Sequence, residues 1–413
     1  MKFKPDSIGF TLLLATLSSL PPLSTDLYLS ALSVMGKALG CSPTLAGLSI
    51  SVFLGSFAFS QLIFGPLADR YGRRPVGIWG CLLFTVSSIG TTAAGSIGAL
   101  LLWRGLQGTG AGAVCMLAFA IVRDLFHGDA GRTRYAYINA TRAFAPMIAP
   151  LLGSWIYQMA GWRATLGVTA LFGAGLTLAF AMGFEESLAP RNRQSISPRA
   201  LCRNYLFVLS NRITLGYCAV NAFLSGAILS FITGSSFVFV DFLGISRPHF
   251  GAILFATACG VMIGSAAAGK LSTHGFSGKK MLWGSLAMHL TATSGLFALS
   301  LTHRFSPYTA VPLLMLMNLS SGLVNPGTVH GALAPMGRMA GTASAVFGCL
   351  GMMGGALASA AVSWFHCDTP PTLTGVMAFC SLMALGSYAL VAARERAEDL
   401  AGVETQEAVT ESL

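Results

Sequence analysis

The chain contains a compact polar segment, Gly65-Pro-Leu-Ala-Asp-Arg-Tyr-Gly-Arg-Arg-Pro75, between two long apolar runs. One acidic and three basic side chains crowd around Gly72 there, which is far more charge than a short connection needs. Because hydrocarbon excludes charged groups, the segment must lie in water at a membrane surface, and the runs on either side must cross the bilayer. The segment therefore predicts a helical membrane protein with a tight, charged turn after its second helix.

The composition of the whole chain agrees with this prediction. Hydrophobic residues make up 54% of the 413 residues and charged residues only 10%. A hydrocarbon core about 30 Å thick needs about 20 apolar residues per helix. Twelve such stretches are predicted, near 8–33, 44–66, 75–95, 98–124, 134–159, 163–184, 209–234, 248–270, 279–301, 307–331, 340–364 and 371–393. We therefore expect an all-α integral membrane protein with twelve transmembrane helices.

The longest polar interruption, from Glu185 to Arg203, divides the predicted helices six and six. The segment after helix 2 also has an echo after helix 8, Gly269-Lys-Leu-Ser-Thr-His-Gly-Phe-Ser-Gly-Lys-Lys280. Both begin with Gly-x-Leu and end in paired basic residues. Two pseudo-symmetric six-helix halves are a common plan of secondary transporters. The predicted units are the bundle 1–190, the cytoplasmic linker 191–203, the bundle 204–396 and the acidic cytoplasmic tail 397–413.

The basic residues indicate which way the helices cross. Of the 25 Lys and Arg residues, 19 fall on one side of the predicted bilayer. Only Lys37, Arg163, Arg247 and Arg304 fall on the other. Positive residues accumulate on the cytoplasmic side, which predicts a multi-pass protein of the bacterial inner membrane with both termini cytoplasmic. The formal net charge of +10 comes from these short clusters, so we expect no nucleic-acid partner.

Of fifteen acidic residues, Asp26 alone falls well inside a predicted helix. A carboxylate in a bilayer is costly by several kcal/mol, so such a residue usually faces a protein interior or an aqueous cavity and marks an ion or proton pathway. We therefore predict that Asp26 carries the proton of a transport cycle. The alternative is that Asp26 caps the outer end of its helix or forms a permanent ion pair.

Two arginines, Arg104 and Arg142, also lie within predicted helices. Neither can release a proton usefully, so each must bind a carbonyl, a carboxylate or a substrate. They are the expected electrostatic partners of Asp26, although Arg104 could instead extend to the outer surface and Arg142 to the cytoplasmic one. The predicted substrate-binding residues are Tyr28, Gln107, Arg142, Asn221, Asn318 and Asn325. The three asparagines could instead simply bond a neighbouring helix.

Two further patterns suggest moving parts. Helix 5 carries Pro146, Pro150 and Gly153, a spacing that frees backbone carbonyls and permits bending. The charged turn resembles a conformational latch, in which Asp69 accepts hydrogen bonds from a helix N-terminus or from an arginine such as Arg123. The predicted latch residues are Gly65, Asp69, Arg70, Gly72, Arg73, Arg74 and Arg123.

Together these motifs resemble the major facilitator superfamily and, within it, the Bcr/CflA group of drug/proton antiporters. The similarity rests on five segments: Ser24–Leu29 in helix 1, Gly65–Pro75, Arg104–Gly108 in helix 4, Ala145–Gly153 in helix 5 and Gly341–Ala345 in helix 11. The resemblance implies proton-driven export of small molecules such as amphenicols, bicyclomycin, sulfonamides or amino-acid-like metabolites, with Asp26 and Arg104 in proton coupling.

The chain departs from the family pattern at two positions. Thr273 stands where the second-half loop would repeat Asp69, which suggests that the latch works from the N-terminal half. Arg142 stands where an uncharged residue is expected. Two fixed positive charges against one carboxylate argue against lipophilic cations and for neutral, zwitterionic or anionic substrates.

We therefore expect a monomeric antiporter that exchanges a small-molecule substrate for protons across the lipid bilayer by alternating access. A proton-coupled importer and an uncoupled facilitator share the same fold and are the alternatives. An enzyme is not expected, because the seven histidines are scattered and no His, Cys and Asp residues cluster. We expect no metal and no cofactor, the proton gradient being the energy source.

Overall fold

The protein is described by a computed structural model that covers residues 4–5, 7–126, 128–188, 197–274, 276–365 and 369–411. These residues form helices and connecting turns, with no strand among them. The α-helices are α1 (Ile8–Asp26), α2 (Leu32–Ala38), α3 (Pro43–Tyr71), α4 (Arg73–Ala93), α5 (Ile97–Leu125), α6 (Gly128–Gly183), α7 (Pro198–Ser210), α8 (Arg212–Ser236), α9 (Arg247–Thr273), α10 (Gly278–Leu301), α11 (Pro307–Leu333), α12 (Ala340–Trp364) and α13 (Pro370–Glu411). Two 3₁₀ segments, Leu29–Ala31 and Ala334–Met339, and a π-helical segment, Phe237–Phe242, join some of them.

Ten helical segments in the described part of the chain are long and apolar enough to cross a membrane. One of them, Phe144–Gly183, spans 40 residues and breaks at Gly161, where φ is 79° and ψ is 180°. It therefore contains two crossing helices, one on each side of the break. The 24-residue α10 packs between α11 and α13 and is the remaining one. The structure thus has the twelve transmembrane helices expected from the sequence.

The helices begin where the sequence places capping residues. Side chains of Ser42, Ser96, Asn211 and Ser306 accept hydrogen bonds from the first turns of α3, α5, α8 and α11. Gly72 separates α3 from α4 with φ of 105°, a conformation that other residues rarely adopt. These turns are short, which keeps consecutive helices antiparallel and close to one another.

The first helix differs from the prediction of one helix over 8–33. The structure ends α1 at Asp26, and the 3₁₀ turn Leu29–Ala31 leads into the short helix α2. Asp26 is therefore the last residue of α1, and the chain turns immediately after it. Hydropathy could not show this break, because the residues on both sides of it are equally apolar.

The packing of the helices shows the two halves. In the first half, α1 lies along α5 and α6, and α4 and α5 pack against α6 and α3. In the second half, α8 packs against α11, α12 and α13, and α9 and α10 pack against α11. Between the halves, α3 packs against α12, and α6 packs against α9. The second crossing helix of each half thus contacts the fifth of the other, as expected for two pseudo-symmetric six-helix halves.

The predicted linker lies only partly within the described residues, since 191–196 fall outside them. Its later part belongs to α7, whose Tyr205 hydroxyl donates a hydrogen bond of 2.9 Å to the Leu62 carbonyl oxygen of α3. The predicted tail continues α13 as far as Glu411. The exact limits of the two bundles stay a prediction.

Candidate functional site

The Asp26 side chain is buried at the end of α1, with 4% of its surface exposed. Its Oδ1 accepts a hydrogen bond of 2.8 Å from the Thr25 hydroxyl. Among the described residues, no Lys or Arg side chain lies within ion-pair distance of it. An unpaired carboxylate is costly to bury, so this environment suits a group that gains and loses a proton.

The Arg104 guanidinium is fully buried beside the same end of α1. Its Nη1 donates to the Ser24 carbonyl oxygen at 3.1 Å and to Gln107 Oε1 at 2.6 Å, and its Nε donates to the Ser49 carbonyl oxygen at 3.3 Å. The rings of Phe53 and Tyr28 lie 4.3 Å and 4.8 Å from its central carbon. All these partners are neutral, so the expected contact between Arg104 and Asp26 is not formed in this conformation.

Tyr28 and Gln107, two predicted substrate-binding residues, are also buried within the first half. The Tyr28 hydroxyl lies 3.1 Å from Ser49 Oγ. The Gln107 Nε2 donates to Ser88 Oγ at 2.7 Å and to Thr169 Oγ1 at 3.4 Å. Both side chains bond protein groups in this conformation, and their role in substrate binding stays a prediction.

The sequence analysis missed Ser49, Ser88 and Thr169, which complete this polar cluster. No signal in the sequence could have found them, because serine and threonine occur throughout these helices and most simply bond the preceding turn.

Arg142 lies at a different level from Arg104. Its side chain is half-buried on α6. The helices α1 and α6 run side by side, with Arg134 bonded to Thr11 and Gly153 against Leu27, so Arg142 lies near the level of Ser18, whereas Arg104 bonds the Ser24 carbonyl. At 1.5 Å per residue the two levels are about 9 Å apart along α1. The two arginines therefore lie at different depths along α1.

The three predicted asparagines have separate surroundings. Asn221 of α8 donates a hydrogen bond of 3.2 Å to the Phe347 carbonyl oxygen of α12, so it joins two helices. Asn318 is buried and bonds the Leu314 carbonyl oxygen of its own helix at 3.1 Å. Asn325, in the same helix, has an exposed side chain. Their role in substrate binding stays a prediction.

The charged turn forms an ion-pair cluster around Arg73, which is almost completely buried. Its Nη2 lies 2.6 Å from Asp69 Oδ1, and its Nε lies 2.9 Å from Asp124 Oδ2. Glu186 accepts hydrogen bonds from the backbone N–H groups of Arg73 at 2.8 Å and Arg74 at 3.2 Å. The cluster therefore ties together the end of α3, the start of α4, the end of α5 and the segment after α6.

The partner of Asp69 is Arg73 and not Arg123, whose side chain is exposed. Adjacent residues of a helix point about 100° apart, so Asp124 faces the cluster while Arg123 faces away from it. The sequence analysis missed Asp124 and Glu186 because both follow long apolar stretches and read as ordinary loop acids. A basic pair at the start of α4 was the signal that required such partners.

The remaining latch residues shape the turn around this cluster. Arg74 donates a hydrogen bond of 2.8 Å to the Ala181 carbonyl oxygen, and Arg70 is exposed beside its neighbour Tyr71. A Cβ on Gly65 would meet the flexible end of the Met116 side chain of α5 at 3.2 Å. The role of the cluster as a latch stays a prediction.

The proline-rich part of α6 lies along α1 and α9. A Cβ on Gly153 would overlap the Leu27 carbonyl oxygen, so α6 and α1 are in backbone contact there. The Pro150 carbonyl oxygen accepts a hydrogen bond of 2.8 Å from Ser154 and faces Gly251 of α9. Pro146 lies one turn earlier. The segment therefore takes part in the seam between the two halves.

No group of three or more His, Cys, Asp or Glu side chains that could hold a metal ion occurs in the described part of the chain. The polar cluster around Arg104 instead consists of hydroxyls, amides and carbonyls. Such groups orient a charge or bind a small polar molecule.

Comparison with known proteins agrees with this picture. Residues 14–359 match the family model of the Major Facilitator Superfamily. The chain is 26% identical over 388 residues to the bicyclomycin resistance protein homolog of Haemophilus influenzae, in an alignment that covers 93% of this chain and 96% of that protein. It is 30% identical over 357 residues to a chloramphenicol resistance protein of Pseudomonas aeruginosa, covering 82% of this chain and 80% of the other.

A solved structure shows the same fold. The bacterial homologue of the human lysosomal transporter Spinster, in an inward-facing and occupied conformation, has a TM-score of 0.74 and 13% identity, covering 94% of this chain and 97% of that one. Its likeness concerns the fold alone. The family match, the curated relatives and the twelve-helix fold all indicate a multi-pass membrane transporter of small molecules and not an enzyme. The chain belongs to the Major Facilitator Superfamily.

Proposed function

We propose that this transporter is a proton-driven antiporter that exports small drug-like or metabolite molecules across the bacterial inner membrane by alternating access. The observation that carries the proposal is Asp26, a buried carboxyl group at the end of α1 that has one hydroxyl donor and, within the part of the chain that the structure describes, no cation partner. A structural carboxylate in hydrocarbon is normally held by a permanent counter-ion. A carboxyl group without one is suited to exchange a proton for a substrate.

The relatives support the direction of transport. Two of them are named for resistance to bicyclomycin and to chloramphenicol, and resistance to such compounds is consistent with export. Arg104 and Arg142 contribute two fixed positive charges against the single carboxyl of Asp26. This balance favours neutral, zwitterionic or anionic substrates over lipophilic cations.

In the proposed cycle, Asp26 and the substrate compete. At the outer face Asp26 takes up a proton and the substrate leaves. At the inner face the substrate binds and the proton leaves Asp26. The cluster around Arg73 joins helices of the first half only, so it would act by keeping that half rigid while the seams between the halves open and close.

The remaining parts of the proposal concern the orientation of the termini, the oligomeric state and the energy source. Both termini would be cytoplasmic, since that orientation leaves most basic residues inside. The protein would work as a monomer, without a metal or cofactor, and would draw its energy from the proton gradient.

Inside-out membrane vesicles provide the test, with chloramphenicol and bicyclomycin as probes. Respiration acidifies the vesicle lumen, and a dye that is quenched by the pH gradient reports it. For an antiporter, adding a probe outside should release lumenal protons and restore fluorescence, and Asp26→Asn should abolish this response at equal expression. Probe uptake without proton movement would indicate an uncoupled facilitator, and proton movement together with the probe in the same direction would indicate an importer. Either result would overturn the proposal.

A further inference from the structure

We propose that Gln107 is a positioning residue. Its amide, oriented by Ser88 and Thr169, fixes the Arg104 guanidinium beside the end of α1 and so sets how strongly Arg104 acts on Asp26. The inference rests on the proposed proton coupling at Asp26, and it gives Gln107 a role other than the substrate contact predicted from the sequence.

The orientation of the Gln107 amide follows from its hydroxyl neighbours. Ser88 Oγ donates to the Phe84 carbonyl oxygen at 2.6 Å, and Thr169 Oγ1 donates to the Leu166 carbonyl oxygen at 2.6 Å. A hydroxyl has one hydrogen, so both groups can only accept from Gln107. Their partner must be the amide nitrogen, which leaves Oε1 facing Arg104 Nη1 at 2.6 Å. The amide therefore has a single orientation, with its oxygen toward the guanidinium.

Three helices contribute to this arrangement. Gln107 and Arg104 lie three residues apart on the same face of α5, Ser88 comes from α4, and Thr169 comes from the second part of α6. All four side chains are buried. Because every polar atom of the Gln107 amide is used within the protein, the amide acts as a fixed support for Arg104.

In the described part of the chain, no acidic side chain is paired with the Arg104 charge. The hydrogen bonds of Arg104 go to carbonyl oxygens and to the amide, its central carbon lies 4.8 Å from the centre of the Tyr28 ring, and Nη2 makes no hydrogen bond of good geometry. Buried arginines are normally paired with a carboxylate. The Ser24 carbonyl that Arg104 bonds lies two residues before Asp26, about 3 Å along the helix axis. The support therefore holds a fixed positive charge at the same end of α1 as Asp26, and the two side chains form no ion pair.

Few other charged or titratable groups surround this pair. Tyr28 follows Asp26 in the turn, and the membrane-level parts of α3 and α4 contain no Asp, Glu, Lys, Arg or His. The helices α6 and α2 also contact the turn after α1. Near this end α6 carries Tyr157 and Arg163, α2 carries Lys37, and Arg142 of α6 lies near the level of Ser18. The helices α8 and α9 contact the turn after α1. Their titratable residues, at or near the helix ends except for Cys259, are Arg212, Tyr217, Cys218, Arg247, His249, Cys259 and Lys270. Arg104 is thus the charge whose position the Gln107 amide can change relative to Asp26.

Carboxyl labelling tests the proposal without a substrate. A hydrophobic carbodiimide reacts with protonated carboxyl groups, so the pH at which half of Asp26 is labelled, measured by mass spectrometry on the full-length protein in nanodiscs, reports its protonation. Gln107→Leu releases the guanidinium, which can then approach the Asp26 carboxylate and stabilise its charge. We expect the labelling midpoint to fall by about one pH unit, a tenfold change in proton concentration.

Two smaller changes at Thr169 separate the hydrogen bond from the packing. Thr169→Val keeps the shape of the side chain and removes the acceptor for the Gln107 amide, so it should lower the midpoint in the same direction by a smaller amount. Thr169→Ser keeps the hydroxyl and should retain the wild-type midpoint. These variants also serve if Gln107→Leu fails to fold.

A second hydroxyl pair between α4 and α6 provides a matched control. The Thr85 and Thr177 hydroxyls are 3.0 Å apart and also join α4 to α6, but they do not contact Gln107. Thr85→Val should therefore leave the midpoint unchanged. In an Arg104→Gln background, Gln107→Leu should have no further effect, because the charge it positions is gone.

The inference is overturned if Gln107→Leu leaves the midpoint unchanged or raises it, or if the same shift occurs with Thr85→Val or in the Arg104→Gln background. Failure of the proposed function would look different. In that case Asp26 of the wild-type protein would show no pH-dependent labelling at all, so there would be no midpoint to shift.

Discussion

A hydroxyl pair across the seam between α3 and α12 allows a quantitative prediction about the opening of the two halves. Ser51 Oγ donates to Ser359 Oγ at 2.9 Å, and Ser359 Oγ also lies 2.6 Å from Thr233 Oγ1 of α8. The bond between Ser51 and Ser359 crosses from one half to the other, whereas the bond to Thr233 stays within the second half. Separation of the halves at this level must therefore break the first bond and can keep the second.

The substitution Ser51→Ala removes that crossing bond with little other change. Ser359 keeps its bond to Thr233, so no buried hydroxyl is left without a partner and no desolvation penalty is added. Hydrogen bonds between membrane helices contribute about 0.6 kcal/mol on average, and neutral hydrogen bonds in proteins about 1 kcal/mol. The closed seam should lose about that much relative to the open one. The open population should consequently rise about three- to fivefold.

Labelling of a reporter cysteine measures this population. Ser363 is buried one turn from Ser359, at the end of α12 predicted to be outermost, and it packs against Gly47 of α3. In intact cells, and in a background with Cys41 and Cys367 replaced, a membrane-impermeant maleimide should modify Ser363→Cys slowly. Adding Ser51→Ala should increase the labelling rate about three- to fivefold, in proportion to the open population.

A hydroxyl pair inside one half provides the control. Thr374 of α13 donates to Ser300 of α10 at 3.0 Å, and both residues belong to the second half. Thr374→Val should leave the labelling rate at Ser363→Cys unchanged. An unchanged rate with Ser51→Ala, or an equal increase with Thr374→Val, would refute the reasoning that this bond holds the halves together.

Three further predictions concern the framework of the bundle. Glu186→Gln should weaken the two hydrogen bonds from the backbone N–H groups of Arg73 and Arg74, because an amide is a weaker acceptor than a carboxylate. We expect the free energy of unfolding to fall by about 1–2 kcal/mol, which a lower melting temperature of the purified protein would show and an unchanged one would contradict. Gly153→Val should force α6 away from α1, because a Cβ at this position overlaps the Leu27 carbonyl oxygen. The yield of monodisperse protein in detergent should fall sharply, and a normal yield would show that the contact is not tight. Burial raises the pKa of the Tyr205 phenol above that of an unfolded tyrosine. The hydrogen bond from Tyr205 to the Leu62 carbonyl oxygen should therefore stabilise the fold fully below a pH of about 10, and this stabilisation should be lost as the pH rises further. Melting temperatures measured at alkaline pH should show this loss for the wild type and not for Tyr205→Phe.

Several features of the fold were predictable because the bilayer constrains a sequence strongly. Apolar length predicts the crossing helices, since hydrocarbon tolerates neither exposed peptide groups nor free charges. The break at Gly161 falls in the gap predicted between the helices 134–159 and 163–184, whereas hydropathy missed the turn after Asp26, where apolar residues continue across a change of direction. Neither a glycine nor an apolar run reveals its backbone conformation by its identity alone.

The site was predictable in its rare residues and not in its common ones. Asp26 and Arg104 stand out because each is an ionisable group within an apolar helix. Ser88, Thr169 and Ser49 do not stand out, although they and Gln107 decide where the Arg104 guanidinium lies. Hydroxyl residues are tolerated almost anywhere in a membrane helix. Only their contacts in the folded protein show which of them help to hold the Arg104 guanidinium in place.

The sequence by itself determined the membrane class, the twelve helices, the family resemblance and the isolation of Asp26. These follow from the types and order of the residues along the chain, because the hydrocarbon of the bilayer restricts which residues a crossing helix can contain. The tertiary structure alone decided which atoms meet: Arg73 rather than Arg123 bonds Asp69, and Arg104 bonds carbonyls and Gln107 rather than Asp26. Such choices depend on the rotation of each helix about its axis, where one residue turns a side chain by about 100°, and packing against several other helices fixes that rotation.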